Sequence, residues 1–327
     1  MISVFDINIF LVFLFIYFFN IKLFIYELSN IISLFTVQVR LILSFINHRF
    51  GKTFYTKISC TKKIKRSPII FLHGGPGGMH LSFLKLKSLS RDHDLYLYDQ
   101  IGGGKSSPTS EKYWNIETFV SELSILINAW GLTEFYFVGG SWGTTLALEY
   151  YLRTRDKRLK KIVFQSPCFS TKDWENDANK LIRKMPNKFQ KIIKYCHEIN
   201  ATDSKVYKEA TFEYYKRHVL RNEKLLKKKS KVKNLHGNKV YEYMWGPSEF
   251  KATGTLKNLN LVPKLKSVKI PVMLICGEHD EATPATSKRY QKLFPNAEFR
   301  VVKNASHSIA RENPKVYQKL LRGFFGN

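Results

Sequence analysis

An α/β fold is predicted, with a mostly parallel sheet and a helical cap inserted before the last strands. Three observations predict it. Short apolar runs of strand length alternate with segments of helical period from residue 52 to residue 164. Gly-rich loops follow several of these runs, at 73–78, 99–104 and 139–143, where open sheets carry their ligand sites. The rhythm then stops for about a hundred residues, longer than any ordinary connection, and resumes at Pro271.

The elements follow in order. Residues 7–26 are almost wholly apolar and aromatic, broken by Asn8, Asn20 and Lys22, and a second apolar stretch, 31–46, contains Gln38 and Arg40. The first has about the length that crosses a bilayer and lacks the basic start and small-residue cleavage site of a secretory signal. Arg40, Arg49 and Lys52 follow it, so the positive-inside rule leaves the remainder on the cytoplasmic side. Two readings stand, a membrane anchor and a start-site error; no internal Met precedes Met79, so a shorter product would need another start codon. Residues 52–60 read as an edge strand. Apolar runs at 68–72, 94–98, 135–138 and 161–164 read as buried strands, and 117–130 as a helix with Phe119, Leu123, Leu126 and Ile127 on one face. From Trp174 to about Leu261 the chain reads as helical and polar, the Lys-rich 224–233 run being a solvated helix end or loop. Strands resume at 271–275 and 298–302. The plan is a leader (1–50), a core in two pieces (51–168 and 263–327) and a helical cap (169–262), which would lie over the ligand crevice.

Composition narrows the function. Of 327 residues 44% are hydrophobic and 24% charged, as a globular core requires. The formal net charge is +27, from 53 Lys and Arg against 26 Asp and Glu. These cations are spread along the chain with no motif of a nucleic-acid module, so coding bias explains them and no nucleic-acid partner is expected. Cys60, Cys168, Cys196 and Cys276 are scattered without a C-x-x-C pair, which supports neither a metal site nor a disulfide framework. A reducing, cytoplasmic compartment fits, with Cys168 and Cys276 as small buried hydrophobes.

Gly139-Gly140-Ser141-Trp142-Gly143 fits G-x-S-x-G between a strand and a helix. A sharp turn there lifts the Ser hydroxyl clear of the backbone, and only Gly leaves room beside it. The hydroxyl needs a base, and the base needs a carboxylate to orient it. His307, just past the last strand, is the expected base, and Asp280, past the preceding strand, the expected acid. His279 is the rival base, but it adjoins the acid in sequence; His197, His218 and His236 lie in the insertion. The oxyanion donors are expected from the backbone N–H groups of Trp142 and Gly75, the latter in His73-Gly74-Gly75-Pro76-Gly77-Gly78.

The pairing of His73-Gly74-Gly75-Pro76-Gly77 with Gly139-Gly140-Ser141-Trp142-Gly143 resembles the prolyl aminopeptidase (proline iminopeptidase) family of α/β-hydrolase serine peptidases. The likeness extends through Asp99-Gln100, Gly246-Pro247-Ser248-Glu249-Phe250, Thr253-Gly254-Thr255, 277–284 and Ser306-His307, covering roughly 65–325. The resemblance implies an α/β-hydrolase fold and removal of an N-terminal residue, usually proline, from short peptides. It further implies an acyl-enzyme route without metal or other cofactor, and a helical cap. It also implies carboxylates that grip the free amino group, corresponding to Glu249 and Glu281. An exopeptidase must hold a charged ammonium at a fixed distance from its serine, and charge-assisted bonds of that kind are worth about 1.5–3 kcal/mol each. Glu281, next to the triad acid, is expected at the site rim. Three departures stand out: Ile101 where the family usually has Arg, a shortened amino-terminal hairpin, and no acidic Trp-containing stretch at 220–233. Rival readings are an esterase or amidase with the same triad, and a non-catalytic binding protein on the same frame. Residue preference beyond proline, peptide length and oligomeric state stay open.

Overall fold

The computed structural model describes residues 41–63, 65–227 and 234–326. The expected membrane anchor at 7–26 and most of the Lys-rich 224–233 run lie outside them. Among the described residues no helix is long and apolar enough to cross a membrane.

Eight strands form one sheet: β1 (Leu41–His48), β2 (Gly51–Ile58), β3 (Arg66–Leu72), β4 (His93–Tyr98), β5 (Phe135–Gly140), β6 (Leu159–Gln165), β7 (Val272–Gly277) and β8 (Ala297–Val302), in the order β1-β2-β4-β3-β5-β6-β7-β8. β2 runs antiparallel to β1 and β4, and the pairs from β4 to β8 are parallel. Every predicted strand is present. The amino-terminal boundary at residue 50 is corrected: β1 pairs with β2 along its whole length, from Leu41 opposite Ile58 to His48 opposite Gly51. Residues 41–48 therefore belong to the sheet, the hairpin is not short, and β2 is internal rather than an edge.

Alternate strand residues feed two cores. Ile70, Leu72, Tyr96, Tyr98, Phe135 and Phe137 pack on one face under α1 (Ile116–Ala129) and α2 (Trp142–Thr154). Ile69, Phe71, Leu95, Leu97 and Val138 pack on the other, beneath the 3-10 segment His80–Arg91 and the carboxyl-terminal helix. Burial of both faces is what makes these strands apolar throughout. Between β6 and β7 the cap contributes α3 (Thr171–Ile182), α4 (Asn187–Glu198), α5 (Lys205–His218), α6 (Glu223–Lys227) and α7 (Leu235–Met244). The cap carries a core of its own, including Ile182, Ile193, Tyr207, Tyr214 and Phe250. After β7 come α8 (Pro284–Gln291), α9 (Ile309–Glu312) and α10 (Pro314–Gly326).

The chain steps from β3 outward to β4, then returns past β3 to β5. That reversal puts a crevice at the carboxyl ends of β3 and β5, the ends carrying the 73–78 loop and Ser141.

Candidate active site

Ser141 stands between β5 and α2 at φ 56° and ψ −123°, a conformation few side chains adopt. The glycines around it are sterically required. A Cβ on Gly139 would lie 2.4 Å from the Gly143 carbonyl oxygen, and one on Gly143 would lie 2.0 Å from that of Leu72. The strained turn is held from below: Ser141 N–H donates to the Gln165 carbonyl at 2.9 Å, and Thr144 N–H to the Ser141 carbonyl at 2.8 Å.

The 73–78 loop is locked to this turn by Gln100. Its N–H donates to His73 Nε2 at 2.9 Å, and its side-chain amide donates to the His73 carbonyl at 3.0 Å. Its Oε1 accepts from the Trp142 indole at 2.8 Å. Because Nε2 accepts, Nδ1 carries the proton and donates to the Gly74 carbonyl at 2.8 Å. Gly75 sits at φ 119°, where a Cβ would meet Gly78 N at 2.7 Å. Among the described residues, neither the Gly75 nor the Trp142 N–H is given to a protein acceptor.

Asp280 and His307 meet. His307 Nδ1 donates to Asp280 Oδ1 at 2.8 Å. The carboxylate also accepts from the Ser166 hydroxyl at 2.6 Å, Gly277 N–H at 3.1 Å and Ala282 N–H at 3.0 Å. The cap fixes His307 from the other side, since His307 and Ser308 N–H groups donate to the His218 and Val219 carbonyls, both at 3.0 Å. Gln165 donates to the His307 carbonyl at 2.9 Å, and the Trp174 ring stands edge-on to the imidazole at 5.7 Å. Burial alone would lower the His307 pKa, but the charges of Asp280, Glu281 and Glu249 outweigh it and raise the value to about 9. His279 turns outward, its Nε2 3.8 Å from Glu278.

Ser141 and His307 line one cavity of about 190 Å³ with Gly74, Gly75 and Glu249. Among the described residues no hydrogen bond joins the Ser141 hydroxyl to His307, a contact that often tightens only when substrate binds. A second, tight apolar lobe opens from the same point, walled by Trp142, Cys168, Trp174, Trp245, Leu256 and Leu259. Trp174 and Trp245 donate to the Glu249 and Ser248 carbonyls at 2.8 and 3.0 Å, fixing the turn that presents Glu249 to both lobes. Burial pushes the Cys168 thiol up to about 12, consistent with a packing role.

Glu281 corrects an expectation. It does not sit at the rim: it is 1% exposed, because the tight turn after β7 directs it under the cap. Neither of its oxygens has a hydrogen-bond partner, and the hydroxyls of Tyr214 and Tyr241 nearby are likewise unpaired. Burial first, and then the charge of Glu249, push its pKa well above the usual carboxylate range. Glu249 is also raised, by burial, with His307 opposing. The paired polar groups that sequence reasoning missed are Gln165 and Ser166, at the end of β6. Their only signal is polarity at the carboxyl end of an apolar strand.

Comparison with known proteins agrees with this geometry. Residues 67–314 match the α/β-hydrolase fold family. The proline iminopeptidase of Heyndrickxia coagulans is 39% identical over 266 residues, covering 80% of this chain and 91% of that protein. The chain belongs to the proline iminopeptidase family of α/β hydrolases. Among solved structures, VinJ superposes with a TM-score of 0.79 at 28% identity, covering 87% of this chain and 98% of that one. The Mycobacterium smegmatis proline iminopeptidase gives 0.75 at 25%, with the same two coverages. The family's Arg position is filled by Ile101, fully buried, whose N–H donates to Glu122 Oε1 at 2.9 Å. Glu122 is buried with its other oxygen unpaired, and burial lifts its pKa to about 8.

Proposed function

We propose that this chain is a serine aminopeptidase that releases the N-terminal residue, proline foremost, from short peptides through an acyl-enzyme. Ser141 Oγ attacks the first peptide carbonyl while His307 Nε2 takes its proton. Asp280 keeps the proton of His307 on Nδ1 and stabilises the imidazolium that forms. The N–H groups of Gly75 and Trp142 receive the tetrahedral oxyanion. His307 then protonates the departing amine, and water, activated by the same imidazole, frees the acyl group. Glu249 holds the substrate ammonium, with Glu281 behind it adding negative charge.

The observation that supports this reading above a plain esterase is the pair of carboxylates beside the nucleophile, Glu281 buried and Glu249 half-buried, which have one catalytic imidazole, His307, 3.7 Å from Glu281, as the cation acting on them both. An ester needs no such excess of negative charge, whereas a peptide amino terminus brings the cation that matches it. Hydrolysis of a proline anilide by the purified protein tests it. Ser141→Ala should lower kcat by roughly 10³-fold or more. Acetylating the amine of the reporter should remove turnover; an acetylated reporter cleaved as fast as the free amine would show that no amine is read.

A further inference from the structure

The two lobes that meet at Ser141 differ in what they can hold. The apolar one is a tight space of about 10 Å³ walled by Trp142, Trp174, Trp245, Leu256 and Leu259, and the character of those walls matches an apolar residue whose carbonyl is attacked. The polar one, of about 190 Å³, leads away past Ser82, Phe83, Gln165, Ser308 and Arg311. The leaving portion of the peptide therefore falls in the polar lobe, and Arg311 is the cation it meets.

Arg311 is half-buried, and among the described residues no carboxylate forms an ion pair with it. Its neighbour Glu312 does not neutralise it. That carboxylate is taken by Ser306 N–H and hydroxyl, at 2.6 and 2.8 Å, and by the Asn222 N–H at 3.3 Å. A guanidinium held unpaired in a concave site matches a carboxylate in shape and charge. Ser141 and Arg311 line the same space of about 190 Å³, which opens to solvent, so the carboxylate that reaches Arg311 is one lying close behind the scissile bond, at the end of a very short leaving group.

We propose that Arg311 binds the C-terminal carboxylate of the leaving product, making the chain selective for dipeptides over longer or C-terminally blocked peptides. Glu249 and Arg311 then read the two charged ends of one zwitterionic substrate across Ser141. This rests on the aminopeptidase reading, and the test separates the two. The wild-type protein is assayed with proline anilide, Pro-Gly, Pro-Gly amide and a longer Pro-Gly peptide. The free dipeptide should exceed its amide in kcat/KM by roughly tenfold or more, the worth of one charge-assisted hydrogen bond, chiefly through KM. In Arg311→Met the acid-to-amide ratio should fall to near one, and Arg311→Lys should keep part of it. The ratio is taken within one preparation, so a loss of folded protein cancels. Anilide turnover with equal kcat/KM for acid and amide in the wild type, or an undiminished ratio in Arg311→Met, overturns the role of Arg311 alone. Failure to cleave the anilide and all peptides overturns the aminopeptidase reading and the Arg311 role with it.

Discussion

Asp280 and Glu281 are neighbours in the chain and equally buried, at 1% exposure each, yet their surroundings are opposite. Asp280 accepts from Ser166, Gly277, Ala282 and His307, so its charge is balanced at rest. Glu281 has no hydrogen-bond partner; His307 stands 3.7 Å from it, and the charge of Glu249 opposes its own. A buried charge without partners costs several kcal/mol, or else takes up a proton. The half of the site that handles the proton is thus fully hydrogen-bonded at rest, whereas the half proposed to bind the amine has more negative charge than His307 alone offsets. Rigidity serves the first, since a misdirected imidazole cannot act. Deficit serves the second, since an unfilled site has binding energy to give.

The largest effect should come from spoiling the hydrogen-bonded half. Asp280→Asn keeps the volume but cannot hold His307 in the required tautomer, and kcat on proline anilide should fall by roughly 10³–10⁴-fold. A loss under tenfold would mean that Asp280 does not orient the base. A smaller effect should follow in the half proposed to bind the amine. Glu249→Gln should raise KM by roughly 10–100-fold, the range of one charge-assisted bond, without lowering the melting temperature. The same change removes a negative charge from beside His307. Because His307 must be neutral to act, activity climbs as pH rises through its pKa of about 9. The ascending limb of kcat/KM should move to lower pH in Glu249→Gln; an unmoved limb would break the link between the two halves.

The smallest effect tests whether an unpaired carboxyl always serves binding. Glu122 lines neither cavity at Ser141 and is held between Thr53 and Ile101. Unfolded it loses its proton near 4.5, folded near 8. Between those values the folded state holds more protons than the unfolded state, so stability falls as pH rises through that window. Glu122→Gln should flatten this fall in thermal melts while leaving kcat unchanged. A wild-type melt no steeper in pH than the variant would count against a neutral Glu122.

Much of the arrangement could be read from the chain because it is local. Ser141 is announced by five consecutive residues, and Asp280 and His307 each follow an apolar run directly. What escaped notice depends on distant strands meeting. Ser166 reaches Asp280 across 114 positions and has no local pattern; Gln100 belongs to the Asp99-Gln100 pair that carries the resemblance, but nothing in that pair signals its reach to the elbow across 42 positions. Glu122 was hidden by the helical periodicity itself, which treats a charged residue among Phe119, Leu123 and Leu126 as facing outward. In β1 the sequence Leu-Ile-Leu-Ser-Phe-Ile-Asn-His is apolar at both parities, so its alternating exposure leaves no signature and the strand merges with the apolar leader. Glu281 was misplaced because adjacency to Asp280 says nothing of the direction a tight turn gives the next side chain.

The backbone bonds from residues 307 and 308 to the carbonyls closing α5 make roof and reagent one mechanical part. Were that end of the roof to rise, residues 307 and 308 would lose two backbone bonds, and His307 would be held by Asp280 and Gln165 alone. Whatever shifts the end of α5 is thereby felt at the loop that bears the base, so a substitution far from the serine, on the outer face of that helix, acts at one step's remove from the chemistry.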